Sequence, residues 1–190
     1  MRHGLFLTTS IAIFASVVLT LLYYTAAQSR ATETTMTTSK IHIPQSVQAE
    51  HEAIHSALVE ATQAPGRVGT AAKDLAAVLH PHFVREEQIA LPPLGLLAPL
   101  AAREQLPETI FSEALAMTDA LRSELPRMLE EHKTIRAAVE KLRLAAEAEQ
   151  ATKYAQLAEQ LALHAQTEEE VLYPAAVLVG DIIRARLQSK

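Results

Sequence analysis

The chain has no cysteine in 190 residues. That excludes a disulfide framework, a thiolate zinc site, an iron–sulfur cluster, a cysteine nucleophile and a lipid-modified cysteine. Tryptophan is also absent, aromatic residues make up only 4%, and there are five glycines. So few aromatics and glycines argue against a β-sandwich or barrel, and abundant alanine and leucine argue for helices. The net charge is -5 and the basic residues form no cluster, so there is no electrostatic footprint for nucleic acid. Against these absences stands one excess: eight histidines in an acidic chain.

Residues 5–24 form an almost charge-free apolar run preceded by Arg2 and His3. A basic start followed by an apolar stretch is the pattern of a signal peptide or membrane anchor, assigned here to residues 1–27. The length lies between a cleavable signal, about 7–15 apolar residues, and a full membrane span of about 20. Export is expected, to the periplasm or another extracytoplasmic space, with the domain anchored to the membrane or released by cleavage. A polar linker, rich in threonine and serine, follows at 28–43.

From residue 44 to 190 the apolar periodicity is helical and no strand pattern is convincing. Pro44 suits a helix start, and Pro65-Gly66 closes the first helix. The second is expected over about 68–91, the third over 108–149 with Pro126 kinking or interrupting it, and the fourth over 152–173. Pro174 is expected to bend the last helix into an apolar tail, and Pro81 removes one hydrogen bond from the second. The apolar loop 94–103 is expected to pack down. The expected fold class is therefore all-α, an up-down antiparallel four-helix bundle.

An internal repeat ties the histidines together. His82, Glu86, Glu87 and Pro92 match His164, Glu168, Glu169 and Pro174 without a gap, both reading H-x-x-x-E-E-x-x-x-x-P. Upstream, Glu50-His51 and Ile54 match Glu131-His132 and Ile135. The halves are offset by 81 residues (His51 to His132) and by 82 (His82 to His164). Residues four apart share a helix face, so each H-x-x-x-E aims an imidazole and a carboxylate the same way. That face is the apolar one: Leu75, Val78, Leu79 and Ile89 flank His82, and Met128, Leu129, Ile135 and Val139 surround His132. Ionisable groups turned into a core are costly unless paired or metal-bound. His51, His82, Glu86, His132, His164 and Glu168 thus describe a metal site inside the bundle, with nitrogen and oxygen donors suited to iron, manganese or zinc. Two carboxylates able to bridge, with four or five histidines, fit a pair of ions better than one. His55 lies four after His51 and is taken as a further metal ligand, although its repeat counterpart is Arg136. His80 points elsewhere. Glu87 and Glu169 are read as groups that orient ligands or face solvent, and Tyr173 as a packing residue close enough to hydrogen-bond near the site.

The segment from His51 to His55 is also a literal H-E-x-x-H, which on a helix can bind zinc with Glu52 as general base. The repeat claims the same histidines and explains more residues, so a zinc hydrolase is the weaker reading.

The ordered set His51, His82-x-x-x-Glu86, His132 and His164-x-x-x-Glu168, with the trailing Glu-Glu and proline, resembles the hemerythrin-like (HHE cation-binding) domain over residues 44–187. The resemblance implies an up-down bundle around a non-haem di-iron centre, with Glu86 and Glu168 as bridging carboxylates. Oxygen-carrying members place a fifth histidine on the third helix, where this chain has Arg136; its extra histidine, His55, is on the first. The expected function is binding or reacting with O2, NO or a peroxide at two iron ions, with zinc or manganese as secondary candidates. Metal storage, or a structural ion without redox chemistry, is the alternative. An enzymatic role is left open, no protein partner is assigned, and His3, His42 and His80 have no role.

Overall fold

The computed structural model describes residues 41–189. The expected signal or anchor segment, 1–27, and residues 28–40 of the linker lie outside them. Every regular element among the described residues is helical. In chain order these are α1 (Gln45–Thr62), α2 (Gly66–Ile89), a 3-10 turn (Pro92–Leu96), the short α3 (Leu97–Ala101), α4 (Glu108–Ala148), α5 (Thr152–Thr167), a π turn (Glu168–Leu172) and α6 (Tyr173–Gln188). None of these helices is long and apolar enough to cross a membrane.

Proline starts the helices. Pro44, Pro65 and Pro107 stand directly before α1, α2 and α4 with φ of -53°, -68° and -59°. Proline there presets φ near the helical value and costs no hydrogen bond. The first turn of α2 lacks a capping side chain of its own. Instead Glu149, just past the end of α4, accepts from the Arg67 N–H at 2.6 Å and the Val68 N–H at 3.4 Å, which satisfies two otherwise unpaired donors. Gly66 has a positive φ of 73°, and a Cβ on it would meet that carboxylate at 2.5 Å, so the turn requires glycine.

The two prolines inside helices are both tolerated. Pro81 and Pro126 lie on exposed faces of α2 and α4, where water can reach the carbonyl each leaves unpaired. The long third helix therefore runs uninterrupted through Pro126.

Packing closes a ring: α1 against α2, α2 against α4, α4 against α5, and α5 back against α1. Short connections join α1 to α2 and α4 to α5, as in an up-down bundle. The core has three apolar layers. Ile54, Leu75, Leu79, Phe83, Ile135, Leu142 and Leu161 belong to the first. Ile89, Leu91, Leu121, Met128 and Tyr173 form the second. The third holds Leu96, Leu100, Phe111, Val179 and Ile183, together with Ile41, so the end of the expected linker packs onto the bundle. The apolar loop packs down as expected.

Along α2, Leu79 and Phe83 belong to the first layer and Ile89 to the second. Along α4 the order reverses, Met128 before His132 and Ile135 after it. The ionisable groups of the repeat therefore occupy a level between two apolar layers.

Helix continues past Pro174 as α6. A π turn, Glu168–Leu172, precedes it, and the Tyr173 N–H bonds to the Glu168 carbonyl five residues back. The wider turn makes room for a ring that would otherwise press on the carbonyl four residues before it. The first half does the same: the Leu91 N–H, just before Pro92, reaches the Glu86 carbonyl at 3.0 Å. This accounts for the proline of the repeated motif. In both halves it follows a widened turn whose acceptor belongs to the inward-facing glutamate.

Candidate metal centre

Seven polar or charged residues are buried among the described residues, and six are the repeat residues His51, His82, Glu86, His132, His164 and Glu168. The seventh, Thr118, packs elsewhere against Gly180. The six are 0–2% exposed, a burial that ionisable groups reach only when paired or holding an ion.

They divide into two groups that share one carboxylate: His82, Glu86, His132 and Glu168, and His51, His164 and Glu168, each with one donor atom per residue within 4.8 Å of the others. In the first, the His82 and His132 Nε2 atoms are 2.8 Å apart, His82 Nε2 is 3.3 Å from Glu86 Oε1, and His132 Nε2 is 3.5 Å from Glu168 Oε2. In the second, Glu168 Oε1 lies 2.9 Å from His164 Nε2 and 3.4 Å from His51 Nε2. Glu168 thus serves one group with each oxygen, and the π turn carries it.

Outer carboxylates turn the imidazoles inward. His82 Nδ1 donates to Glu131 and His132 Nδ1 to Glu169, both at 2.8 Å. His164 Nδ1 donates to Glu50 at 3.2 Å, and His51 Nδ1 faces Glu87 at 3.6 Å. The supporters are themselves repeat-related, Glu50 with Glu131 and Glu87 with Glu169. Two of them are gripped by arginine: Arg127 Nε is 3.3 Å from Glu131, and Arg136 donates to Glu169 at 2.7 Å. A neutral imidazole with its proton on Nδ1 presents a lone pair at Nε2, the arrangement metal-binding histidines adopt. Phe83 stacks on the His51 ring at 4.3 Å and completes that wall.

Two facing Nε2 lone pairs at 2.8 Å repel unless a proton or a cation sits between them. In the metal-free protein the charge is supplied by protons. Burial works against charging His82, but hydrogen bonds to Glu86 and Glu131 and the nearby carboxylate charges raise it to about 9. Burial likewise opposes charging His164, and the adjacent Glu168 carboxylate, with help from Glu50, raises it to about 9. Burial lowers His132 more than Glu169 and Glu168 raise it. Burial and the charge of Glu168 push Glu86 up to about 7. Burial would raise Glu168 too, but the close imidazoles of His164 and His51 override it and hold Glu168 well below the usual carboxylate range.

The donor set fits a cation. Four imidazole nitrogens and two carboxylates converge without sulfur, which suits iron, manganese or zinc. Three buried polar atoms have no hydrogen-bond partner: His51 Nδ1, Glu86 Oε2 and His164 Nε2, the last close to Glu168 but off the direction a hydrogen bond needs. Unsatisfied atoms at this depth are rare in folded proteins and mark a place where a bound group completes the structure.

His55 is in neither group. It is exposed on α1, one turn beyond His51, and its ring lies 6.1 Å from that of His80, also exposed. Arg136 takes no place among the inward donors either; it holds Glu169 from the outside. The H-E-x-x-H segment does not converge, because His51 faces inward, His55 faces solvent, and Glu52 is exposed and accepts from Gln48 at 2.9 Å. Tyr173 is more than a packing residue. Its buried hydroxyl donates to Glu86 Oε1 and lies 3.2 Å from His132 Nε2 and 3.4 Å from His82 Nε2. Burial, with the charges of Glu86 and Glu168, raises its pKa, so the phenol stays protonated. Its repeat counterpart, Leu91, gave no hint of that role. The supporting roles of Glu50 and Glu131 were legible only as neighbours of the histidines.

A helical bundle with paired H-x-x-x-E motifs around a buried nitrogen–oxygen cluster defines a metal-binding class of protein. Residues 123–188, from within α4 through α5 and α6, match the family model described as Hemerythrin HHE cation binding domain. No curated protein and no solved structure matches the chain. The matched segment carries His132, His164 and Glu168; His51, His82 and Glu86 come from the half that the internal repeat relates to it.

Proposed function

We propose that the bundle holds two iron ions, one in each donor group with Glu168 shared between them, and that this centre binds or reacts with O2, NO or a peroxide. The observation that carries the reading is the shared carboxylate. Glu168 gives one oxygen to each histidine group, the arrangement by which a single side chain holds two ions close together. Iron would supply open coordination positions and redox chemistry for a small ligand.

The chain's own residues do the rest. The apolar layers on either side exclude bulk water from the ligand level. Glu131 and Glu169, clamped by Arg127 and Arg136, keep the Nε2 lone pairs of His82 and His132 aimed inward. Tyr173 keeps its proton on Glu86, and its hydroxyl is the one neutral donor beside the four-donor group. The three-donor group is the emptier one, and His51 also lines a cleft open to solvent, so a small ligand has its shortest approach there.

Metal analysis of protein purified without added metal should give about two irons per chain, with visible absorption that changes on adding O2, NO, peroxide or azide. One zinc and no iron would refute the proposal, and two irons with an unresponsive spectrum would favour storage or a structural ion. Removal of Glu52 should leave metal content unchanged, since that side chain touches no donor of either group. The basic start and apolar run before the bundle support an exported protein, anchored or released; cell fractionation tests that location.

A further inference from the structure

Two histidines and a cleft remain outside the centre just described. A cleft of about 240 Å³ opens beside the three-donor group, lined by His51, Glu52, His55, His80, Phe83 and Glu87 among others. We propose that His55 and His80, with the carboxylate of Glu87, form a second, outer cation site that captures a divalent transition metal at the surface and passes it inward past His51.

Four observations converge on this cleft. The His55 and His80 rings come from different helices, α1 and α2, yet their centroids are only 6.1 Å apart. Two imidazoles bound to one ion through bonds of about 2 Å place their centroids roughly 5 Å apart, so exposed side chains reach that geometry by small rotations. Glu52 and Glu87 add negative charge to the cleft, and no cationic side chain lines it. His51 forms part of the floor, is 2% exposed, and its Nδ1 has no hydrogen-bond partner. Its other nitrogen already belongs to the inner group with Glu168.

Glu87 connects the two levels. It lines the cleft and stands 3.6 Å from His51 Nδ1, too far for a firm hydrogen bond. The other three outer carboxylates bond their histidines at 2.8–3.2 Å. His51 is therefore the least firmly held imidazole of the four, and the carboxylate that should hold it is free to engage a cation. Imidazole and carboxylate donors suit zinc, iron, cobalt and nickel. This also accounts for the sequence: His55 and His80 have no histidine counterpart in the second half, whose corresponding positions carry Arg136 and Ala162. The cleft lies on the side of the three-donor group.

The inward step rests on reading the buried cluster as a metal centre; surface capture does not. The full chain, as purified, would be titrated with Ni2+ in parallel with the double variant His55→Gln/His80→Gln, following bound nickel by equilibrium dialysis. The wild type should bind one more ion than the variant, or bind its outermost ion at least tenfold more tightly. Equal nickel binding would overturn the outer site. Uptake of Fe2+ by protein prepared from iron-poor cells would then be followed in time. The variant should fill several-fold more slowly and reach the same final iron content. Filling at the wild-type rate would overturn the inward passage, and a lower final content would overturn the proposal by making these histidines part of the inner centre. If neither protein takes up iron at all, the proposed function fails while the nickel titration still decides the outer site. Circular dichroism of the variant keeps a folding defect from being read as a loss of binding.

Discussion

Replacing Tyr173 with phenylalanine isolates one hydroxyl in the most tightly packed part of the site. The ring would stay in its layer with Leu91, Leu121 and Met128, so no cavity of consequence opens. What disappears is the donor to Glu86 Oε1, on a carboxylate whose other oxygen already has no partner. A hydrogen bond to a charged group contributes about 1.5–3 kcal/mol, so the metal-free variant should be less stable by about 2 kcal/mol. For a chain of this size each kcal/mol moves Tm by about 2–4 °C, a fall of roughly 4–8 °C. The effect should depend on pH. Burial and the charge of Glu168 hold Glu86 near 7, and the Tyr173 bond is one of the terms lowering it. Without the phenol the carboxyl titrates higher, so the variant should lose little at pH 5.5, where Glu86 is protonated in both proteins. It should lose most at pH 8.5, where the ionised carboxylate keeps His82 as a partner but has lost the phenol. Thermal unfolding of chelator-treated protein at the two pH values measures this. A Tm difference under 1 °C at pH 8.5, or an equal difference at both, would refute the role assigned to the hydroxyl.

Other outcomes follow from the same geometry. Glu169→Ala should loosen metal by about 10–100-fold in competition with a chelator, because it removes the acceptor that orients His132; Glu140→Ala, whose partner is Arg143 on the exposed surface, should change nothing. His82 and His164 are raised to about 9 in the metal-free fold. The stability they contribute is fully present below the unfolded value of about 6.5 and is lost as pH rises through about 9, so the metal-free bundle should weaken across that window. Metal must displace those protons, so uptake in weakly buffered solution should release protons at pH 7 and tighten toward pH 9. Gly180→Ala sets a helix-propensity gain of about 1 kcal/mol against a Cβ placed 2.4 Å from Thr118 Oγ1 and 2.9 Å from its Cβ. Overpacking of that kind costs about 1–3 kcal/mol, so thermal unfolding should show net destabilisation.

How much of this was legible in the chain differs from residue to residue. Helical periodicity and proline placement locate the long helices to within a few residues, because burying one face imposes the 3.6-residue repeat on the sequence itself. The same periodicity puts His82 with Glu86 and His164 with Glu168 on one inward face, and the repeat makes the set of six stand out from single core histidines. Periodicity could not separate His51 from His55. Four residues turn a helix by a little more than one revolution, and only the neighbours on α2 and α5 decide that the first ring is covered and the second is not. Pro174 carried a similar ambiguity, since a bend and a widened turn relieve the same clash. The continuation of the last helix along α4 selected the π turn that presents Glu168 to both histidine groups.

Sequence alone determined the class of fold, the six repeat-related candidate donors and the exclusion of sulfur chemistry, since these depend on residue type and on spacing along a single helix. Tertiary structure alone decided which donors meet. The pairing of His82 with His132, the reach of Glu168 to His51 and His132, the phenol of Tyr173 on Glu86 and the outer carboxylates that aim each imidazole all join residues on different helices, up to 117 positions apart. Contacts across a bundle depend on how four helices are rotated and staggered against one another, which no stretch of one helix encodes.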